Sequence, residues 1–240
     1  MHWDDIDACL FDLDGVITPT AEVHMRAWDT MFSEFLAARG AAAYTSADYF
    51  DHVDGRPRYE GVATLLEAKG IELPQGEPSD PPEAETISGL GNRKDKLFNE
   101  ILAEEGIQPY PGSVRLLDAL AERGTEVAIV SSSKNARAVL EAAGLLDRFE
   151  VIIDGQVAAA EGLPGKPQPD TFLAAAERVG VPKERAVVFE DALSGVRAGA
   201  AGDFGLVVGV DRGTGADRLR EAGADVVVGD LDELVDSVRS

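Results

Sequence analysis

The chain has 240 residues, 45% of them apolar, which is enough for a sizeable core plus a smaller second domain and too apolar for a disordered segment. Asp and Glu number 44 against 22 Lys and Arg, and the net charge of -22 repels nucleic acid and anionic membranes, excluding both as partners. A phosphorylated ligand would be repelled too, so any phosphate site needs cations placed beside it.

The single cysteine, Cys9, falls in an apolar stretch and reads as a small core residue. No apolar run is long enough to span a bilayer, and the N-terminus lacks a basic, apolar signal pattern. A reducing, cytoplasmic location is expected.

In chain order, Ile6–Leu13 reads as a buried strand, followed by Asp14-Gly15. Thr20 is placed as the N-cap of a helix whose apolar stripe is Trp28, Met31, Phe32, Phe35 and Leu36. His24 lies one turn before Trp28 on that stripe. A second helix uses Val62, Leu65 and Leu66, with Arg58 at its start. A third uses Leu97, Phe98, Ile101 and Leu102, with Lys94 at its start. Each basic or imidazole group, taken singly, reads as a side chain snorkelling at a core edge; together they point to helix ends converging on an anion. Between the second and third helices, Glu72–Gly91 holds Pro74, Pro78, Pro81 and Pro82 and reads as a long, mobile loop.

From Pro111 onward strands and helices alternate: helix Ser113–Arg123, strand Val127–Val130, helix Ala136–Ala143, strand Val151–Ile153, helix Pro169–Val179 and strand Val187–Phe189. Helix Ala192–Ala201, strands Leu206–Val210 and Val226–Val228, and helix Leu231–Val238 complete the chain. Alternation of this kind predicts an α/β fold, a parallel Rossmann-like sheet with helices on both faces. The first strand joins that sheet. Residues 1–17 and 109–240 form the expected core, and 18–108 an inserted α-helical cap.

Four polar motifs sit where strands stop, the edge at which open parallel sheets bind ligands. They are Asp12-Leu13-Asp14-Gly15, then Ser131-Ser132-Ser133-Lys134-Asn135, then Lys166 between Gly165 and Pro167, and Glu190-Asp191. Each has an ordinary reading: a strand-ending turn, a Ser-capped helix, a solvated lysine, and acids favouring a helix N-terminus. Charge ties them together. Asp12, Asp14, Glu190 and Asp191 in one crevice cannot all ionise without compensation. A hard divalent cation with oxygen ligands, Mg²⁺, together with Lys166 would balance them, and would neutralise a phosphoryl group approaching Asp12.

In order and spacing these motifs resemble those of the haloacid dehalogenase superfamily. The resemblance implies that Asp12 is a nucleophile forming an aspartyl-phosphate and Asp14 the general acid/base, with Ser131 and Lys166 holding the phosphoryl group. It further implies that Asp12, the Asp14 main-chain carbonyl and Asp191 bind Mg²⁺, assisted by Glu190. Asp12–His24 is similar to the opening of the β-phosphoglucomutase-like subfamily. There Thr20 and His24 match groups assisting Asp14 and the sugar, Arg58 and Lys94 match cap residues contacting substrate, and Ser133, Lys134 and Asn135 match core residues near a second phosphate. Pro19 in place of a hinge acid, Ala192 after Glu190-Asp191 and the long Pro-rich loop depart from that pattern.

Two activities follow. One is a mutase interconverting a hexose 1-phosphate and 6-phosphate, favoured by His24, Arg58 and Lys94, since a phosphatase has no second phosphate to hold. The other is a phosphatase acting on a sugar phosphate or another small phosphorylated metabolite, favoured by the altered hinge and long loop. A non-catalytic phosphometabolite-binding protein is disfavoured by the retention of both Asp12 and Asp14.

Overall fold

The computed structural model describes residues 3–53 and 56–239, leaving aside the side chain of Phe50. In chain order its principal elements are β1 (Ala8–Phe11), α1 (Thr20–Ala37), α2 (Ser46–Asp48), a π turn Tyr49–Val53, α3 (Arg58–Ala68), α4 (Ile87–Glu105) and α5 (Pro111–Arg123). There follow β2 (Glu126–Val130), α6 (Ala136–Ala142), β3 (Val151–Ile153), α7 (Gly155–Glu161), α8 (Asp170–Arg178) and β4 (Ala186–Glu190). The chain closes with α9 (Leu193–Ala201), β5 (Leu206–Val210), α10 (Ala216–Ala222), β6 (Val226–Val228) and α11 (Val235–Arg239). It divides into two units, Met1–Thr20 with Ile107–Ser240, and Ala21–Gly106.

In the first unit the six strands form one parallel sheet in the order β3-β2-β1-β4-β5-β6. Ala8 and Leu10 share a buried cluster with Ala128, Val188, Phe172 of α8 and Ala198 of α9. The alternate residues Cys9 and Phe11 are equally buried, so both faces of β1 are covered, as its unbroken apolar run requires. Burial also pushes the Cys9 thiol above its ordinary range, as suits a core residue. Strand β1 lies between β2 and β4, where the strand order reverses. That is the position at which a crevice opens beyond the carboxyl ends of the strands.

In the second unit, Trp28, Met31, Phe32, Phe35 and Leu36 of α1 pack with Val62, Leu65 and Leu66 of α3 and Leu90 of α4. The stripes expected for α1 and α3 are therefore the core. Helix α4 departs from expectation by starting at Ile87, capped by the Thr86 hydroxyl, which accepts from the Gly89 N–H at 2.9 Å. Gly89 and Gly91 break the apolar period there and conceal the helix start. The Pro-rich segment consequently ends sooner than expected and is tied down rather than free. The Asn92 amide donates to the Pro78 and Asp80 carbonyls, Arg93 Nε donates to the Pro82 carbonyl, and the Asp80 carboxylate accepts from the Thr86 hydroxyl.

Two helices escaped the sequence reading. Helix α7 is set by caps rather than a stripe: Asp154 accepts from the N–H groups of Gln156 and Val157, and Gly162 ends it in the left-handed region. Helix α10 buries only Leu219 and Ala222. The final helix expected over Leu231–Val238 is a 3₁₀ turn, Leu231–Leu234, followed by α11. Among the described residues, no helix is long and apolar enough to cross a membrane.

Candidate active site

Parallel pairing sets the site. Phe11 is in register with Ile129 on one side and Phe189 on the other, and its ring stacks on Phe189 at 4.5 Å. The next residues, Asp12, Val130 and Glu190, therefore emerge side by side, and the Asp12 N–H donates to the Phe189 carbonyl at 2.9 Å. Lys166 comes in from the segment between α7 and α8 rather than from a strand end as expected, because α7 separates it from β3. Its Nζ donates to Asp12 Oδ1 at 2.5 Å, Glu190 Oε1 at 2.7 Å and the Val130 carbonyl at 2.8 Å. With a side chain only 6% exposed, Lys166 is not the solvated loop lysine of the ordinary reading.

Carboxylate oxygens of Asp12, Glu190 and Asp191 lie within 4.8 Å of one another. Burial, partly offset by Lys166 and reinforced by Glu190, Asp14 and Asp191, holds the Asp12 carboxyl well above the usual range. Burial together with Glu190 and Asp14 pushes Asp191 up to about 8. Lys166 is buried as well, yet Asp12 and Glu190 push its ammonium above the usual lysine range. One lysine thus faces more negative charge than it can balance. The donor set, three hard carboxylates and no soft ligand, fits Mg²⁺. Glu190 is committed on both oxygens, one to Lys166 and the other to the Ala192 N–H at 2.9 Å.

The Asp14 side chain is near enough to raise Asp12 and Asp191 but is not among the converging carboxylate oxygens. Its carboxylate instead accepts from the Thr20 hydroxyl, which also bonds Thr18 Oγ1 at 3.1 Å. Thr20 is thus the first residue of α1 with its hydroxyl spent on Asp14, a correction to its reading as an N-cap. The turn between them is closed by Gly15 N–H donating to the Thr18 carbonyl at 2.8 Å. Gly15 has φ +81°, and a Cβ there would fall 2.0 Å from Asp191 Oδ2. Only glycine lets this turn pass so close to the carboxylate.

At the end of β2, Ser131 is 3% exposed, and its Oγ accepts from the Ser133 N–H at 3.1 Å. Ser133 Oγ accepts from the Asn135 N–H at 3.1 Å. The N–H groups of Ser133 and Asn135 are therefore satisfied by serine hydroxyls. The Lys134 carbonyl accepts from the Gln156 amide, which joins this turn to α7.

In the second unit, His24, Arg58 and Lys94 come together. Lys94 is 4% exposed, and its Nζ donates to His24 Nδ1 at 2.5 Å. The His24 ring stacks on Phe98 at 4.2 Å, and Lys94 Nζ lies 4.9 Å from the Phe98 ring and 5.3 Å from that of Trp28. Arg58 pairs with Asp95 at 2.9 Å. Lys94 lies two turns into α4 rather than at its start, because the helix begins earlier than its stripe suggested. Burial, then Lys94, then Arg58 hold the His24 imidazole well below the ordinary histidine range. The folded chain therefore resists a proton that the unfolded chain accepts. Stability from this group is full above pH 6.5 and falls as the pH drops toward the folded value. His24→Gln should remove that loss, by up to about 1.4 kcal/mol per pH unit below the unfolded value. Melting curves from pH 7.5 down to about 5.5 test it; parallel curves for variant and wild type would contradict it.

The family model for the haloacid dehalogenase-like hydrolase matches residues 6–203. The chain belongs to that family. It is 49% identical over 242 residues to a β-phosphoglucomutase of Mycobacterium bovis, spanning 96% of this chain and 92% of that protein. Among solved structures, β-phosphoglucomutase from Clostridium difficile superposes with a TM-score of 0.74 at 26% identity, over 95% of this chain and 93% of that one. A mutant of CbbY from Rhodobacter sphaeroides, in complex with xylulose-(1,5)bisphosphate, gives 0.72 at 27% identity, over 95% and 96%.

Sequence reasoning about this haloacid dehalogenase-like chain missed residues that hold the site without carrying its charge. Thr18 links Thr20 to the Leu13 carbonyl, and Arg212 and Thr214 reach the turns after β1 and β4. One signal was available for the last two: Asp211-Arg212-Gly213-Thr214-Gly215 is a polar, Gly-punctuated loop at the end of a fifth parallel strand.

Proposed function

We propose that this enzyme, of the phosphomutase or phosphatase kind, interconverts a hexose 1-phosphate and a hexose 6-phosphate through an aspartyl-phosphate at Asp12. In this reading residues 1–17 and 109–240 are the catalytic core, 18–108 a cap, and the location is cytoplasmic. The observation that carries it is the grouping of Asp12, Lys166, Glu190 and Asp191 at one sheet edge, with Asp14 one residue beyond Asp12's neighbour. The hexose phosphate is supported by the 49% identity to a β-phosphoglucomutase.

The phosphorylated Asp12 gives its phosphoryl group to the free hydroxyl of the hexose 1-phosphate while Asp14 takes the hydroxyl proton. The resulting bisphosphate returns its other phosphoryl group to Asp12. Asp14 then protonates the departing sugar oxygen, and the hexose 6-phosphate remains. Thr20, bonded to the Asp14 carboxylate, aims that proton. Lys166 holds Asp12 in place and screens its charge against the phosphoryl oxygens, to which the Ser131 hydroxyl donates. Asp12, Asp191 and the Asp14 main-chain carbonyl, with Glu190 assisting, would hold Mg²⁺, which would supply the remaining positive charge. His24, Arg58 and Lys94 bind the sugar and its second phosphate, with Ser133, Lys134 and Asn135 of the core.

Phosphorus NMR of β-glucose 1-phosphate with enzyme, Mg²⁺ and a trace of glucose bisphosphate tests the reading. Glucose 6-phosphate is expected, whereas inorganic phosphate alone would make the chain a phosphatase. Arg58→Ala should cut mutase flux about 10- to 100-fold, the worth of one charged hydrogen bond to phosphate. Hydrolysis of p-nitrophenyl phosphate, which has no second phosphate, should fall far less. Equal losses would argue against a second phosphate at Arg58.

A further inference from the structure

Outside the carboxylates and Lys166, one loop of the first unit reaches both halves of the site. It joins β5 to α10 and reads Asp211-Arg212-Gly213-Thr214-Gly215. The Asp211 carboxylate accepts from the N–H groups of Gly213 and Gly215, each at 2.9 Å, so the loop carries its own scaffold. Arg212 Nε donates to the Gly15 carbonyl at 3.0 Å, across 197 positions of sequence. One terminal nitrogen donates to the Gly229 carbonyl and to Asp230 Oδ2, both at 3.1 Å. The guanidinium lies 3.8 Å from the Tyr110 ring centroid, and the Tyr110 N–H donates to the Ile17 carbonyl at 2.9 Å. Two residues further along the loop, the Thr214 hydroxyl donates to the Asp191 carbonyl at 3.1 Å.

The other terminal nitrogen of Arg212 is buried with no hydrogen-bond partner among the described residues. A buried donor left unmade costs stability. Arg212 is therefore kept in place against a penalty, offset by its stacking on Tyr110 and its bonds to Gly15, Gly229 and Asp230. Two of the gripped carbonyls belong to the site: that of Gly15, one residue past Asp14, and that of Asp191 itself. Both grips are on main chain, so they govern where the carboxylates stand rather than their charge.

We propose that Arg212 and Thr214 are positioning residues for phosphoryl transfer. Their loop grips the turn after β1 and the turn after β4 together, and so sets the spacing of Asp14 and Asp191 from Asp12. This rests on the reading in which those three residues react and hold the cation. Groups that support metal ligands from behind are worth about 10- to 100-fold in metal affinity or activity.

The test compares wild type with Arg212→Met, Thr214→Val and Thr214→Ser. Four quantities are read: the melting temperature, the Mg²⁺ dissociation constant by calorimetry, the rate at which acetyl phosphate labels Asp12, by intact mass, and KM for β-glucose 1-phosphate. Thr214→Val and Arg212→Met should each weaken Mg²⁺ binding and slow labelling about tenfold or more. KM for β-glucose 1-phosphate should stay within about twofold, because the sugar contacts are untouched. Thr214→Ser, which keeps the hydroxyl, should restore both. Folded variants with wild-type Mg²⁺ affinity and labelling rate would overturn the proposal, as would a Thr214→Ser no better than Thr214→Val. If Arg212→Met does not fold, the two Thr214 variants decide. A wild type that is labelled yet turns over no sugar phosphate would sink the mutase reading alone, since Mg²⁺ affinity and labelling still judge the loop.

Discussion

Asp12→Asn should lower kcat by about 10⁴-fold or more, because an amide cannot form the acyl-phosphate on which both half-reactions depend. The same change should leave the fold intact. Asn keeps the oxygen that accepts from Lys166, and it removes a carboxyl that burial and three neighbouring carboxylates already hold well above its usual range. Lys166 retains Glu190 and the Val130 carbonyl as partners. Steady-state turnover, acid-quenched intact mass and thermal melting check this together. A phosphoenzyme that still forms in Asp12→Asn would move the nucleophile elsewhere.

Lys166→Met should damage both stability and turnover, unlike Asp12→Asn. Lys166 is the cation bonded to Asp12 and Glu190, and its side chain is almost entirely withdrawn from solvent. Removing one partner of a buried ionic group leaves uncompensated charge, at a cost of about 3–5 kcal/mol. For a chain of this size that corresponds to a fall in melting temperature of roughly 10 °C. Loss of charge stabilisation at the phosphoryl oxygens should lower kcat by a further factor of about 10²–10³. The pH dependence follows from the direction of the Lys166 shift. Its folded value is raised, so its contribution is complete below the unfolded lysine range and is lost as the pH climbs through the folded value. The deficit of Lys166→Met should therefore persist unchanged across neutral pH. A variant that melts with wild type would show the buried pairing to be energetically idle.

Much of the architecture was legible in the residues. Strands buried on both faces must be apolar throughout, so Val187–Phe189 and Leu206–Val210 stand out by composition alone, as does the first strand, which spans Ala8–Phe11 rather than the Ile6–Leu13 expected. Their polar terminators, Asp12, Ser131, Glu190 and Asp191, stand out against them. The stripes of α1 and α3 were equally plain, because each helix buries a single face. Short helices were not. Gly155–Glu161 and Ala216–Ala222 bury too little to show a period, and only their flanking caps and glycines mark them. Gly89 and Gly91 likewise hid the start of α4 and moved Lys94 from a helix end to a helix middle.

What the residues determined by themselves is that the groups Asp12, Ser131 and Glu190-Asp191 stand at strand ends, since that is a matter of local hydrophobic pattern and spacing; Lys166, placed by α7 and α8, is not at one. What only the tertiary structure decided is which of them meet. Lys166 is 154 positions from Asp12, and Arg212 is 197 from Gly15. The first pairing depends on β1 lying between β2 and β4 in matched register, with the Lys166 segment folded back over their ends. Strand order and register are settled by how both faces of the whole sheet are covered, a global packing condition that no local spacing encodes.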